Sequence, residues 1–191
     1  MRFTSVPGFF AAILLAGCGP ATASTTLMPA ASPTQAQLLR VDWPAYHDPS
    51  GFVIQHPLTW QQVDNGGYPV VFALQAAPGT SLIEKRMEID VTESTGECKQ
   101  STYGTGVVAP DPEHVKINGI DFLREVGGGV AAGNVYESTS YSTLRGAICI
   151  GITFVLHSSS SGVYATEPPP FDREAESATF DELLSTFQFD P

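Results

Sequence analysis

From residue 82 to residue 94 the chain alternates. Ile83, Lys85, Met87, Ile89 and Val91 fall on one side, and Glu84, Arg86, Glu88, Asp90 and Thr92 on the other. Successive strand residues point to opposite faces, so a period of two predicts a strand with one buried side. The segment 45–57 predicts a hairpin turning at Asp48-Pro49-Ser50-Gly51, with alternation resuming from Phe52 to His56. A four-residue loop there sets His47 opposite Phe52 and His56 opposite Trp43. The apolar run 68–75 predicts a buried strand. Residues 114–126 predict two strands about Asn118-Gly119, a strong hairpin signal.

The next predicted hairpin runs out over 135–144, turns at Arg145-Gly146 and returns over 147–157. On the return, Ile148, Ile150, Ile152, Phe154 and Leu156 share one face. Cys149, Gly151, Thr153, Val155 and His157 share the other. A two-residue turn pairs Leu144 with Ala147 and brings Ser138, Ser140 and Ser142 onto the Cys149 face. One face of the sheet is therefore apolar and the other small and polar. Residues 171–190 supply a cover for the apolar face. Asp172 is a candidate N-cap, Glu174 and Glu176 suit the positive helix start, and Phe180, Leu183, Leu184 and Phe187 form one helical stripe. The preceding Glu167-Pro168-Pro169-Pro170 is a rigid connector. These elements predict an α+β domain, mainly an antiparallel β-sheet meander covered by a C-terminal helix. No internal repeat is visible.

Composition adds location. Residues 1–17 have a positive start at Arg2, an apolar run from Val6 to Ala16 and small closing residues. The run is shorter than the roughly 20 residues a spanning helix needs, so it predicts a removable export signal. Leu15-Ala16-Gly17-Cys18 resembles the lipobox of bacterial lipoproteins. In that family the cysteine thiol takes a diacylglycerol, the signal is cut before it, and the new amino terminus is usually acylated. The resemblance implies lipidation of Cys18, and two or three chains anchor stably at about 0.8 kcal/mol per buried methylene. Residues 18–39 continue as an uncharged linker rich in Pro, Ala, Ser and Thr, which cannot order itself by burial. The expected organisation is a signal over 1–17, a lipidated Cys18 with its leash over 18–39, and one domain over 40–191.

The formal charge of −11 disfavours nucleic acid, whose phosphates need clustered Lys and Arg. It also disfavours direct contact of the domain with anionic lipid. The remaining Cys98 and Cys149 are an even pair in an exported chain, which favours a bridge over two separate thiols. Such a bridge closes a loop worth on the order of 4 kcal/mol in the chain-entropy treatment.

Tyr46, Gly51, Phe52, Ile54, His56, Pro57 and Trp60, spaced Y-x4-GF-x-I-x-HP-x2-W, resemble the opening of PsbP-like domains, and residues 179–189 resemble their closing helix. PsbP is an extrinsic protein of photosystem II, and its relatives include many bacterial lipoproteins without assigned function. The resemblance implies a central antiparallel sheet with flanking helices. It covers both ends of residues 41–190, with His56 standing where that family usually has an aromatic. Only one helix is evident here, so the cover of the second sheet face is open. A fold of this kind does not by itself give an activity.

Local motifs add little chemistry. Gly127 to Ala132 matches G-x-G-x-x-A, but no helix follows to meet a pyrophosphate, and the segment is expected to be a hairpin loop. His47, His56, His114 and His157 lack metal-ligand spacing. His157 adjoins serines at 158–161, but adjacent strand residues diverge and form no nucleophile–base pair. The row Glu84, Glu88 and Asp90 offers oxygen ligands, yet Arg86 interrupts it and a solvated face is the simpler expectation. No cofactor is implied. The expected function is therefore a membrane-anchored, extracytoplasmic, non-enzymatic binding or scaffolding lipoprotein. Its partners would be the membrane through its lipid and an envelope protein or small ligand. Ser138, Ser140, Ser142 and Thr153 form its candidate binding face. A divalent-cation-binding envelope protein and an unrecognised hydrolase are the alternatives.

Overall fold

Two-residue turns fix the larger sheet. Asn118-Gly119 joins β6 (Glu113–Ile117) to β7 (Ile120–Ala131), and Ala132-Gly133 joins β7 to β8 (Asn134–Arg145). Both residues of each turn have positive φ, the conformation whose twist matches the flanking strands. Gly146-Ala147 then joins β8 to β9 (Ile148–Ser159). This structure is a computed structural model that describes residues 40, 42–64, 66–76, 79–94, 96, 98, 111–162 and 164–191. All of them lie in one compact unit, Gln35–Pro191. The signal segment, Cys18 and most of the linker lie outside the described residues.

The meander β6–β9 is completed by β3 (Gln61–Val63), β4 (Val70–Gln75) and β5 (Leu82–Glu93), giving a seven-stranded antiparallel sheet of order β3-β4-β5-β9-β8-β7-β6. A second sheet contains β1 (Ala45–Asp48), β2 (Phe52–Gln55) and β10 (Gln188–Phe189), in the order β1-β2-β10. One helix, α1 (Arg173–Leu184), is present among the described residues. The α+β class is as expected.

Helix α1 begins where Asp172 accepts hydrogen bonds from the backbone N–H groups of Glu174 and Ala175, each at 3.1 Å. It ends at Leu184. Thr186 Oγ1 donates to the Leu183 carbonyl at 2.7 Å and accepts from the Gln55 amide at 2.8 Å, so the helix end is tied to β2. The expected helix over 171–190 is thus shorter, and β10 takes the chain's last turn to pair with β2. Phe187 lies beyond the helix, yet it is fully buried. Its ring stacks on Phe52 at 5.3 Å and meets Phe122 edge-on at 5.4 Å.

The core lies between one face of the seven-stranded sheet and a layer made of α1 and the small sheet. Met87, Ile89, Ile150, Ile152 and Phe154 face it from the sheet, and Phe52, Phe180, Leu183 and Leu184 from the other layer. Fully burying each such side chain is worth roughly 1.5–3 kcal/mol. Asn118 fastens the β6–β7 turn to this layer by donating to the carbonyls of Ser185 and Phe187.

Three register expectations differ. In β1–β2 the loop has three residues and Asp48 pairs with Phe52, so His47 faces Val53. His56 bonds back to Pro44, and its ring packs on Phe72 at 4.5 Å rather than on Trp43. In β8–β9 the turn is one residue later than expected, and Leu144 pairs with Cys149. That displacement moves pairing by two positions, so every side chain keeps its face. Lastly, Gly127–Ala131 is strand, not loop. A Cβ on Gly128 would come within 2.6 Å of the Tyr136 carbonyl oxygen, so closeness to β8 requires glycine there.

Candidate functional site

The second face of the large sheet carries the residues singled out by alternation. Ser138 stands opposite Val155, Ser140 opposite Thr153 and Ser142 opposite Gly151, so the four polar residues share a face as expected. They do not form an open surface. Ser140 is 0%, Ser142 2%, Ser138 3% and Thr153 6% exposed. Ser140 and Thr153 share a hydrogen bond at 2.9 Å, and Ser142 donates to the Cys98 carbonyl at 2.7 Å. The Ser138 hydroxyl is buried without a partner. The picture of a flat, solvated polar face is therefore corrected to a covered polar layer. The reason is the bridge between Cys98 and Cys149, whose Cα atoms are 5.3 Å apart and which brings the chain beyond β5 down over the sheet. Both cysteines are themselves buried.

Beside this layer, Arg86 sits between two carboxylates of its own strand. Its Nε reaches Glu88 at 2.6 Å and its Nη1 reaches Glu84 at 3.0 Å. The expected solvated acidic row is instead a half-buried ion-pair row. Among the described residues no three His, Cys, Asp or Glu side chains converge on a metal-sized site. His157 accepts or donates at 2.7 Å with Asn134 and stacks on Tyr136 at 4.5 Å. Its neighbour Ser158 is buried, and Ser159 donates to the Ser81 carbonyl. His157 and these serines thus have other partners.

The candidate site lies on the helix face, which α1 covers unevenly. Lys85 of β5 meets Glu176 of α1 at 2.6 Å, and Phe154 of β9 stacks on Phe180 at 4.5 Å. The helix therefore sits over β5 and β9. Toward β7 and β6 a groove remains, made of two hollows of about 370 Å³ each that share Thr139, Phe154, Ser177 and Phe180. At one end Gly128 leaves its floor bare, beneath Arg173, which is paired to Glu137 at 2.9 Å. At the other end Val115, Ile117 and Tyr141 make an apolar wall.

Arg124 stands at that end and meets Glu113 at 2.8 Å. Burial alone lowers the basicity of its guanidinium, but hydrogen bonds to Tyr141 and Glu113 outweigh it and raise it. Burial pushes the Tyr141 phenol up, with a smaller push from the Asp181 carboxylate, while the Arg124 hydrogen bond opposes both. Tyr141 is thus a neutral donor and acceptor. Asp181 adds an exposed carboxylate on α1. The groove is apolar at its floor, polar at its rim and net acidic at the Arg124 end. Sequence periodicity missed it because its residues come from β6, β7, β8, β9 and α1; the one usable signal was a single helix for so wide a sheet.

A separate buried carboxylate joins the two sheets. Asp48, 4% exposed, accepts from Tyr46 at 2.8 Å, from Tyr68 at 2.7 Å and from the Ser50 amide at 2.8 Å. Burial acts to raise its pKa, but these hydrogen bonds prevail and hold it below the usual carboxylate range. Burial and the Asp48 charge push the Tyr46 phenol well up.

No protein family model matches the chain, and no curated protein matches it. Solved structures similar to it include cyanobacterial PsbP from Synechocystis sp. PCC 6803, 16% identical, with a TM-score of 0.49 over 81% of this chain and 96% of that one. A Bacteroides thetaiotaomicron VPI-5482 protein is 14% identical, with a TM-score of 0.47 over 78% of this chain. The present chain spans about half of that protein, 49% of its length. PA94 of Pseudomonas aeruginosa, a protein of unknown function, is 14% identical, with a TM-score of 0.45 over 78% and 98% of the two chains.

Proposed function

We propose that this protein is a membrane-tethered, extracytoplasmic binding module, held by lipid on Cys18 and engaging its partner through the groove beside α1. The groove carries the reading, because it is an apolar hollow with a few convergent polar groups, the usual make-up of a binding site. The residues around it support recognition more than catalysis. Arg124 is already paired to Glu113, and Tyr141 is a neutral phenol that orients rather than transfers a proton. The partner that fits is an envelope protein segment presenting an apolar side chain beside a cationic group, received by Asp181. The chain's formal charge of −11 steers such a segment inward. The bridge between Cys98 and Cys149 supports an oxidising compartment, and the lipobox-like tetrad with its uncharged leash supports the tether.

Photo-crosslinking in intact cells tests this. A photoreactive residue at Ser177, in the groove, is expected to give a discrete adduct that weakens in an Asp181→Asn background. The same residue at exposed Asp64, on the far edge of the molecule, is expected to give none. Equal adducts from both positions, or none from Ser177, would refute the groove as the binding surface.

A further inference from the structure

The groove ends at a strand edge with open backbone groups. β6 pairs with β7 only from Ile120 to Arg124, whereas β7 continues to Ala131. Hydrogen-bonding parity says which groups are open. Ala131 and Asn134 flank a two-residue turn, so they bond each other, and the odd-numbered residues of β7 bond β8. The even-numbered residues point outward. Ile120, Phe122 and Arg124 use these groups to hold β6. Val126, Gly128 and Val130 continue the row, and among the described residues no backbone group bonds them on that side. Val130 is 70% exposed.

We infer that this edge is a self-association surface, on which the Val126–Val130 edges of two copies pair antiparallel about a two-fold axis through Gly128. The sequence fits that operation. Val-Gly-Gly-Gly-Val reads the same in both directions, so the axis places Val126 opposite Val130 of the second copy and Gly128 opposite itself. All three outward residues then meet outward residues, and each pair exchanges two bonds, about six in all. A shift by one residue would set outward groups against inward ones. The window holds no charge, and Arg124 and Glu125 at its end fall beside the uncharged Ala131-Ala132 turn of the other copy. Both copies present Val126 and Val130 on the helix side, so each adds an apolar wall to the other's groove near Gly128. The contact is small beside the roughly 1,200–2,000 Å² of a standard stable interface, so the dimer is reversible. The charge of −11 on each copy opposes it, so added salt strengthens it.

Val130 offers a clean test. Its N–H points outward and its side chain is exposed, so proline there removes a donor from the open edge and leaves the β8 pairing intact. Sedimentation equilibrium of the full chain in density-matched detergent, to about 300 µM, compares wild type with Val130→Pro and Val130→Thr. Wild type and Val130→Thr should show one monomer–dimer equilibrium that tightens from low to moderate salt. Val130→Pro should lose more than about tenfold in affinity while melting at the wild-type temperature. A wild type that stays monomeric overturns the inference, whether because another segment of this chain or a foreign strand covers the edge. Dimerisation of Val130→Pro equal to wild type overturns it too, by placing the contact elsewhere. Neither result bears on the crosslink expected at Ser177.

Discussion

Removing the bridge between Cys98 and Cys149 tests how the second sheet face is covered. The cysteines are 51 positions apart in sequence. Closing a loop of that length removes about 14 cal/mol/K from the unfolded chain, or about 4 kcal/mol at 25 °C. The structure adds a folded-state term. Cys98 is buried over β8 and β9, and Ser142 bonds its carbonyl, so a fraction of the segment's position survives reduction. The net loss expected for a Cys98→Ser, Cys149→Ser double variant is about 3–4 kcal/mol. With a urea slope of about 1.5–2 kcal/mol/M for a domain of this size, the midpoint falls by roughly 2 M with little change in slope. Equilibrium unfolding followed by far-ultraviolet circular dichroism and by Trp60 fluorescence measures it, and both probes should shift together. In parallel, hydrogen exchange should quicken at Ser140, Ser142 and Thr153, which the bridged segment shields. A midpoint change below about 0.3 M, with protection intact at those residues, would show that the layer is held by something other than the bridge.

Ser138→Ala should be neutral or stabilising by about 1 kcal/mol in the same assay, because a buried hydroxyl without a partner is lost and nothing is left unpaired. Asn118→Gly keeps the two-residue turn but removes both bonds to the end of α1; a loss of about 1–3 kcal/mol is expected, and a loss confined to a few tenths would show that those bonds are not formed in solution. The folded-state pKa of Asp48 lies below its unfolded value, so its contribution is complete above the ordinary carboxylate range and disappears as pH falls through the folded value. Asp48→Asn should therefore lower stability at pH 7 and flatten the acid limb of a stability–pH curve, and an unchanged limb would contradict the assignment.

Much of the architecture is local enough to be read from the chain. Asn118-Gly119 and the alternation of β5 and β9 placed strands correctly, and Asp172 and the stripe at Phe180, Leu183 and Leu184 placed the helix. The β8–β9 turn was misplaced by one residue without consequence, since pairing moved by two. In β1–β2 one residue gained by the strand moved the register by one and gave His47 and His56 different neighbours. Three consecutive glycines suggested a loop because they lack strand propensity; pairing with β8 overrides it. Phe187 fell on the helical stripe by spacing, and is buried for a different reason, as the first residue after the helix turns toward β10. The serine face was read as open because period two gives polarity and face, and says nothing of a disulfide-pinned segment lying across it. The groove was invisible for a related reason: it is the space left where one helix spans part of a seven-stranded sheet.

The tether is the premise on which location and partner both depend, and it is tested most directly at Cys18. Intact-mass analysis of the protein recovered from expressing cells, together with membrane fractionation, compares wild type with Cys18→Ser. The account predicts a wild-type chain beginning at Cys18, carrying the mass of two or three acyl chains and sedimenting with membranes, and a Cys18→Ser chain that is neither acylated nor cut there. A wild-type chain without acyl mass, or one whose processing and fractionation are unchanged by Cys18→Ser, would contradict it.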